Sequence, residues 1–252
     1  MKKLITLFLG LSIAFTSCSS DSDVAPKETT ININFTHNWE EDSVTKDDFN
    51  NIKFTNEHGE ELSIERLRYL VSNIYLTHTS GSSYKVEDYL LVDVNDEETL
   101  SYTTNTLLPN GTYNFSFRFG FSDENNIDGE YPDLNIASFE VPMIMGGGYH
   151  YMQFDGKFID MNDTTVGFNY HAIRAVDNTD PDNLILKDTS FSVTLGEVIV
   201  KDNSATINVK MNIAEWFKNP NEWDLNVLNQ MLMPNYEAQL LMNANGKSVF
   251  SL

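Results

Sequence analysis

The sequence predicts a mainly β protein: an antiparallel β-sandwich finished by short C-terminal helices. Three observations predict it. Apolar and polar residues alternate with period two over many short segments. Turn-forming pairs separate those segments at short spacing. Only near the C-terminus does the alternation give way to short runs punctuated by Asn-Pro and Met-Pro. One apolar and one wet face per strand is the mark of an antiparallel sheet, and many such strands suggest two packed sheets.

Ile31, Ile33 and Phe35 open the pattern, alternating with Asn32, Asn34 and Thr36. Strands are expected at 67–77 and 89–94. Tyr113, Phe115, Phe117 and Phe119 then alternate with polar neighbours. Further strands are expected at 149–158 and 166–173. Phe191, Val193 and Leu195 form another, and Ala205, Ile207, Val209, Met211 and Ile213 one more. His58-Gly59, Ser80-Gly81, Asn110-Gly111, Asp128-Gly129 and Asp202-Asn203 supply the turns. Short helices are expected at 214–218, 225–232 and 236–243, and Val249-Phe250 is expected to close the sheet.

The N-terminus reads as an export signal. Lys2 and Lys3 precede an apolar run from Leu4 to Phe15, too short to span a bilayer as a helix. Thr16-Ser17 then leads to Cys18, the one cysteine of the chain, which has no internal disulfide partner. We read residues 1–17 as a lipoprotein signal peptide and Cys18 as the lipidation site. Residues 18–28 are then an acidic flexible tether and 29–252 a single β-sandwich domain. Several acyl chains hold a protein on a membrane stably where one does not. The Ser/Asp-rich stretch Ser19–Asp23 resembles the export segment of Bacteroidota surface lipoproteins, so an outer-membrane lipoprotein facing the cell surface is expected. The chain carries 37 acidic against 16 basic residues, a formal charge of −21. So acidic a surface argues against nucleic acid and anionic membrane faces as partners.

No nucleophile elbow, phosphate loop, zinc-protease helix or dinucleotide fingerprint occurs, and no enzymatic activity is expected. The acidic loop Asp123–Glu130 lacks EF-hand spacing, so calcium is not expected there. The histidines are more informative. His37 continues the inward phase of Ile31, Ile33 and Phe35, as does Trp39. His171 is opposite in phase to Phe168 and Tyr170, and His150 is in phase with Met152 and Phe154. A histidine on an apolar face is more often a hydrogen-bonded core residue than a ligand, and both readings stay open. Met143, Met145 and His150 flank the glycine run Gly146-Gly147-Gly148; thioether and imidazole together are a soft donor set suited to copper, while methionine also fills core gaps.

Phe35-Thr36-His37, the block from Leu67 to Leu76, Leu108-Pro109-Asn110-Gly111-Thr112-Tyr113, Phe154-Asp155-Gly156 and Phe168-Asn169-Tyr170-His171 come in an order similar to the MbnP-like copper-binding family. The resemblance implies a β-sandwich with a histidine-built copper site and no demonstrated catalysis. It implies His37 and His171 as ligands, with His150 and Met145 as second choices. It also implies a tryptophan that a di-haem oxidase partner converts to kynurenine, for which Trp39 is the candidate. Relatives carry a Met-aromatic-Trp-x-Trp run where this chain has Met143-Ile144-Met145-Gly146-Gly147. The expectation is therefore a lipid-anchored copper-binding protein without turnover, the alternative being a cell-surface module that binds protein or glycan and keeps a vestigial metal site.

Overall fold

The computed structural model describes residues 25–180 and 182–252. The signal peptide, Cys18 and most of the tether lie outside the described residues. Fifteen strands and two α-helices follow in chain order: β1 Lys27–Trp39, β2 Asp42–Val44, β3 Phe54–Thr55, β4 Glu61–Leu62, β5 Arg66–His78, β6 Ser83–Asp93, β7 Ser101–Leu108, β8 Gly111–Phe119, α1 Pro132–Ile136, β9 Met152–Ile159, β10 Thr165–Ala172, β11 Ala175–Asp177, β12 Ile185–Lys187, β13 Phe191–Val200, β14 Ser204–Asn212, α2 Tyr236–Asn245 and β15 Phe250–Ser251.

Two sheets face each other. The smaller has β1 at its centre, with β14 and then β15 on one edge and β7 and β2 sharing the other. The larger is organised by β5, which pairs with β6 on one side and with β9 and β8 on the other; β10 continues from β9 and β13 from β8. Period-two residues from both sheets meet between them: Ile31, Ile33 and Phe35 from β1, Phe115, Phe117 and Phe119 from β8, Phe154 from β9, and Phe168 and Tyr170 from β10. Burying each such side chain contributes about 1.5–3 kcal/mol, so one continuous aromatic layer holds the sheets together without any disulfide.

Two expectations are corrected. β1 and β14 pair in parallel, Ile33 opposite Ile207. Alternation reports which face a residue takes, not which way its strand runs. The Asp202-Asn203 turn, both residues with positive φ, carries the chain from the larger sheet into the smaller one. Residues 225–232 form no helix. Their carbonyls are spent elsewhere: Asn229 O accepts from the Asn169 amide of β10, and Leu228 O accepts from the Trp223 indole. Residues 213–217 make a 3-10 turn, and α2 is the one C-terminal α-helix.

A second, smaller apolar cluster lies on the outer face of the larger sheet. Leu70 and Leu91, out of phase with the main core, are covered by Phe121, Leu134, Phe139 and Tyr149 of the β8–β9 connection. That connection ends in the glycine run and delivers His150 to the same outer face.

Candidate metal centre

His171 sits on β10 between the inward-facing Tyr170 and Ala172, so its imidazole points away from the main core. Across the β9–β10 pair, Asn169 is in register with Asp155 and His171 with Gln153. The diagonal places the Asp155 carboxylate 2.8 Å from His171 Nε2. A carboxylate only accepts, so Nε2 carries a proton, and in the neutral ring Nδ1 keeps the lone pair. Burial opposes ionisation of Asp155, but hydrogen bonds from His171 and Asn169 together with Arg66 outweigh it and hold its pKa below the usual carboxylate range.

His150 approaches from the other side. Its ring meets that of His171 edge to face, centroids 5.3 Å apart at 82°. The carbonyl of Phe139 accepts from both the His150 amide and Nδ1, at 2.9 and 3.0 Å. That carbonyl fixes the proton on Nδ1 and leaves the lone pair on Nε2, which is buried and has no hydrogen-bond partner. Burial lowers the His150 pKa to about 4, so the ring is neutral at physiological pH. His150 was expected in phase with Met152. The irregular backbone before β9 breaks that phase, because Tyr151 and Met152 both enter the main core.

The backbone that carries His150 depends on three successive left-handed residues, Gly146, Gly147 and Gly148, with φ of 93°, 62° and 78°. A side chain is strained at such angles. The run is pinned by Asp128, which accepts from the Gly148 amide, by Asn126, which accepts from the Tyr149 amide, and by Arg174, which donates to Gly146 O. Asp128 and Asn126 of the acidic loop are thus engaged with backbone. Met145 ends a 3-10 turn just before the run.

Met145, His171, Met231 and Met233 line one cavity of about 310 Å³. The segment bearing Met231 and Met233 is held against β10 by Gln239 of α2. This buried side chain donates to His171 O and Leu232 O, both at 2.9 Å, and accepts from the Ile173 amide. The neutral His150 ring with its free Nε2, and His171 beside Met145, Met231 and Met233, offer imidazole and thioether donors of the kind that suit a soft or borderline metal ion. The orphaned His150 Nε2 is the feature a metal would satisfy.

His37 and Trp39 are not brought to this centre. His37 is buried between the sheets, Nε2 3.1 Å from the Tyr69 hydroxyl, and burial lowers its pKa to about 4. His171 leaves the other face of the larger sheet, so the expected His37–His171 pairing is corrected: a β-sheet separates the two rings. Trp39 stacks on Phe54 and donates from Nε1 to Thr55 O. Trp216 and Trp223 are fully buried as well. The residues missed by sequence reasoning are Asp155, Gln239, Met231 and Met233.

The sequence model of the family MbnP matches residues 28–234. The fold is similar to the solved structure of MbnP from Methylosinus trichosporium, with a TM-score of 0.57, 13% identity, and coverage of 89% of this chain and 98% of that one. No curated protein matches the chain in sequence.

Proposed function

Because the chain belongs to the MbnP family, we propose that it is a copper-binding protein that holds its metal without catalytic turnover, at His150 and His171 with Met145 beside them. The observation that carries the reading is the orphaned, buried His150 Nε2, in a ring packed edge to face with that of His171. A buried polar atom without a partner costs about 1–3 kcal/mol; a bound ion would recover that cost. Copper supplies a Lewis acid for imidazole and thioether. The chain supplies the rest: Phe139 O and Asp155 hold the protons away from the ligating nitrogens, and the glycine run fixes the backbone between Met145 and His150.

The reading extends to the envelope. A lipid on Cys18 would keep the domain on the outer membrane, facing the surface, so that copper is held or passed on at the membrane. Among the described residues no helix is long and apolar enough to cross a bilayer. Kynurenine at Trp39, made by a di-haem partner, would lie between the sheets and add no ligand to this pair. An intact mass shifted at Trp39 in protein from the native envelope would reopen that route.

The test is elemental analysis of protein isolated from its native envelope. Stoichiometric copper is expected in the wild type and in His37→Gln, and its loss in His150→Ala and His171→Ala with folding retained. Absence of copper from the wild type, together with an unchanged melting temperature on copper addition, would sink the proposal.

A further inference from the structure

A second cluster of ligating side chains lies on the opposite end of the β9–β10 hairpin, where the β3–β4 turn meets the segment after Trp223. Asn56 builds that turn: its Oδ1 accepts from the Gly59 and Glu60 amides, and its Nδ2 donates to Trp223 O, drawing the two segments together. His58, Glu60 and Asp224 each then offer a ligand atom within 4.8 Å of the other two. A cleft of about 300 Å³ opens beside them, walled by His58, Glu60, Asn226 and Asp160.

Three details point to a cation. Glu60 is 5% exposed. Its Oε1 accepts from His58 Nδ1 and Asn226 Nδ2, both at 2.8 Å, while its Oε2 is buried and has no partner. His58 Nε2 lies 3.7 Å from Asp224 Oδ2. Where the imidazole meets the two carboxylates positive charge is favoured, as a second proton on the ring or as a bound cation that takes its place. Asp224 Oδ1 is meanwhile engaged with the Asn226 amide, which orients Oδ2. Zinc bonds of about 2.0–2.2 Å to nitrogen and oxygen span such a separation, and three protein ligands with one open position are a familiar zinc arrangement.

We propose that His58, Glu60 and Asp224 form a second metal site that takes a borderline divalent cation such as zinc, separate from the His150–His171 pair. One imidazole and two carboxylates are a harder donor set than two imidazoles with thioethers, so the two sites sort metals by softness. Asn226 is the positioning residue, since it orients Glu60 through its side chain and Asp224 through its amide.

The experiment is calorimetric titration of zinc into the chelator-stripped full chain in detergent. It is run on a His150→Ala/His171→Ala background, so that copper-site failure and zinc-site failure are read separately. That background is expected to bind zinc stoichiometrically and to melt at a higher temperature with zinc present. Glu60→Gln keeps the acceptor for His58 and Asn226 but removes the charge, and Asp224→Asn does the same at a partly exposed position. Each is expected to weaken zinc by about tenfold or more. Should Glu60→Gln fail to fold, Asp224→Asn decides alone. No zinc bound by the background, or affinities unchanged in Asp224→Asn, overturns the site.

Discussion

Asp155 accepts a hydrogen bond from His171 Nε2 at 2.8 Å, and that one contact determines which nitrogen of His171 is free to bind a metal. Phe139 O does the same for His150 from the opposite side. The two tautomers are therefore set by the protein in the absence of any ion, and little reorganisation is needed when one binds. Asp155→Asn keeps the shape but presents either an amide oxygen or an NH2 to the ring, and it removes the charge that favours Nε2–H. Copper affinity is expected to drop about 10- to 100-fold. Competition titration against a chromophoric chelator measures it, and an unchanged Kd would remove Asp155 from the site.

Gly148 makes a prediction about positioning rather than ligation. A Cβ there would lie 2.4 Å from Asn126 Oδ1 and 2.9 Å from Asn126 O, at φ 78°. Gly81 also has positive φ, at 103°, but a Cβ there meets nothing within 4 Å. Gly81→Ala should cost only the backbone strain, about 1 kcal/mol. Gly148→Ala adds the clash and is expected to cost about 1–3 kcal/mol more. It should also weaken copper binding, because Asn126 is what holds the Tyr149 amide next to His150. Urea unfolding of the two variants separates strain from clash; equal costs would refute the packing argument.

The sandwich was legible because its strands alternate cleanly, and a face is what alternation encodes. The parallel β1–β14 pair was not, since direction leaves no trace in a period-two pattern. His171 and Met145 were legible as candidates: one is out of phase with Phe168 and Tyr170, the other abuts a glycine run. His37 shows the limit of a ligand carried over by resemblance against the phase of its strand. Its alternation with Ile31, Ile33 and Phe35 already placed it inward, where Tyr69 takes its Nε2. Asp155 could have been found by counting back from the Asp160–Thr164 turn, which sets Asn169 opposite Asp155. Met231 and Met233 could not, because Gln239 brings them to β10 through bonds that no local pattern announces.

His37 gives a pH prediction. Burial lowers its pKa from 6.5 to about 4 in the folded chain. Between those values the unfolded chain takes up a proton that the folded one refuses, so acidification favours unfolding. Stability is fully present above about pH 6.5 and declines as pH falls toward 4, by at most ~3 kcal/mol from this residue. His150 adds a loss of the same sign, while Asp155 acts only below the ordinary carboxylate range. His37→Gln retains a partner for Tyr69 but cannot titrate. Its denaturation midpoint is expected to fall less than the wild type's between pH 7 and 4.5. Parallel declines in the two proteins would show that His37 ionises freely in the folded state.

Met145 gives a prediction about which oxidation state of copper the proposed site would prefer. It lines the same cavity as His171, with Met231 and Met233 on the facing segment. The resemblance sets a Met-aromatic-Trp-x-Trp run against Met143-Ile144-Met145-Gly146-Gly147 of this chain. Thioether sulfur is a soft ligand that favours reduced copper, whereas two imidazoles alone serve either oxidation state. Leucine matches methionine in volume and lacks the donor, so Met145→Leu tests the sulfur with little disturbance to packing. The expected outcome is a Cu(I) affinity lower by about tenfold, or roughly 1.4 kcal/mol, with Cu(II) affinity unchanged. Cu(I) competition with bicinchoninate and Cu(II) competition with a glycine buffer read the two separately. A wild-type protein that binds Cu(II) stoichiometrically and ignores Cu(I) would show that the methionines are wall and not ligand.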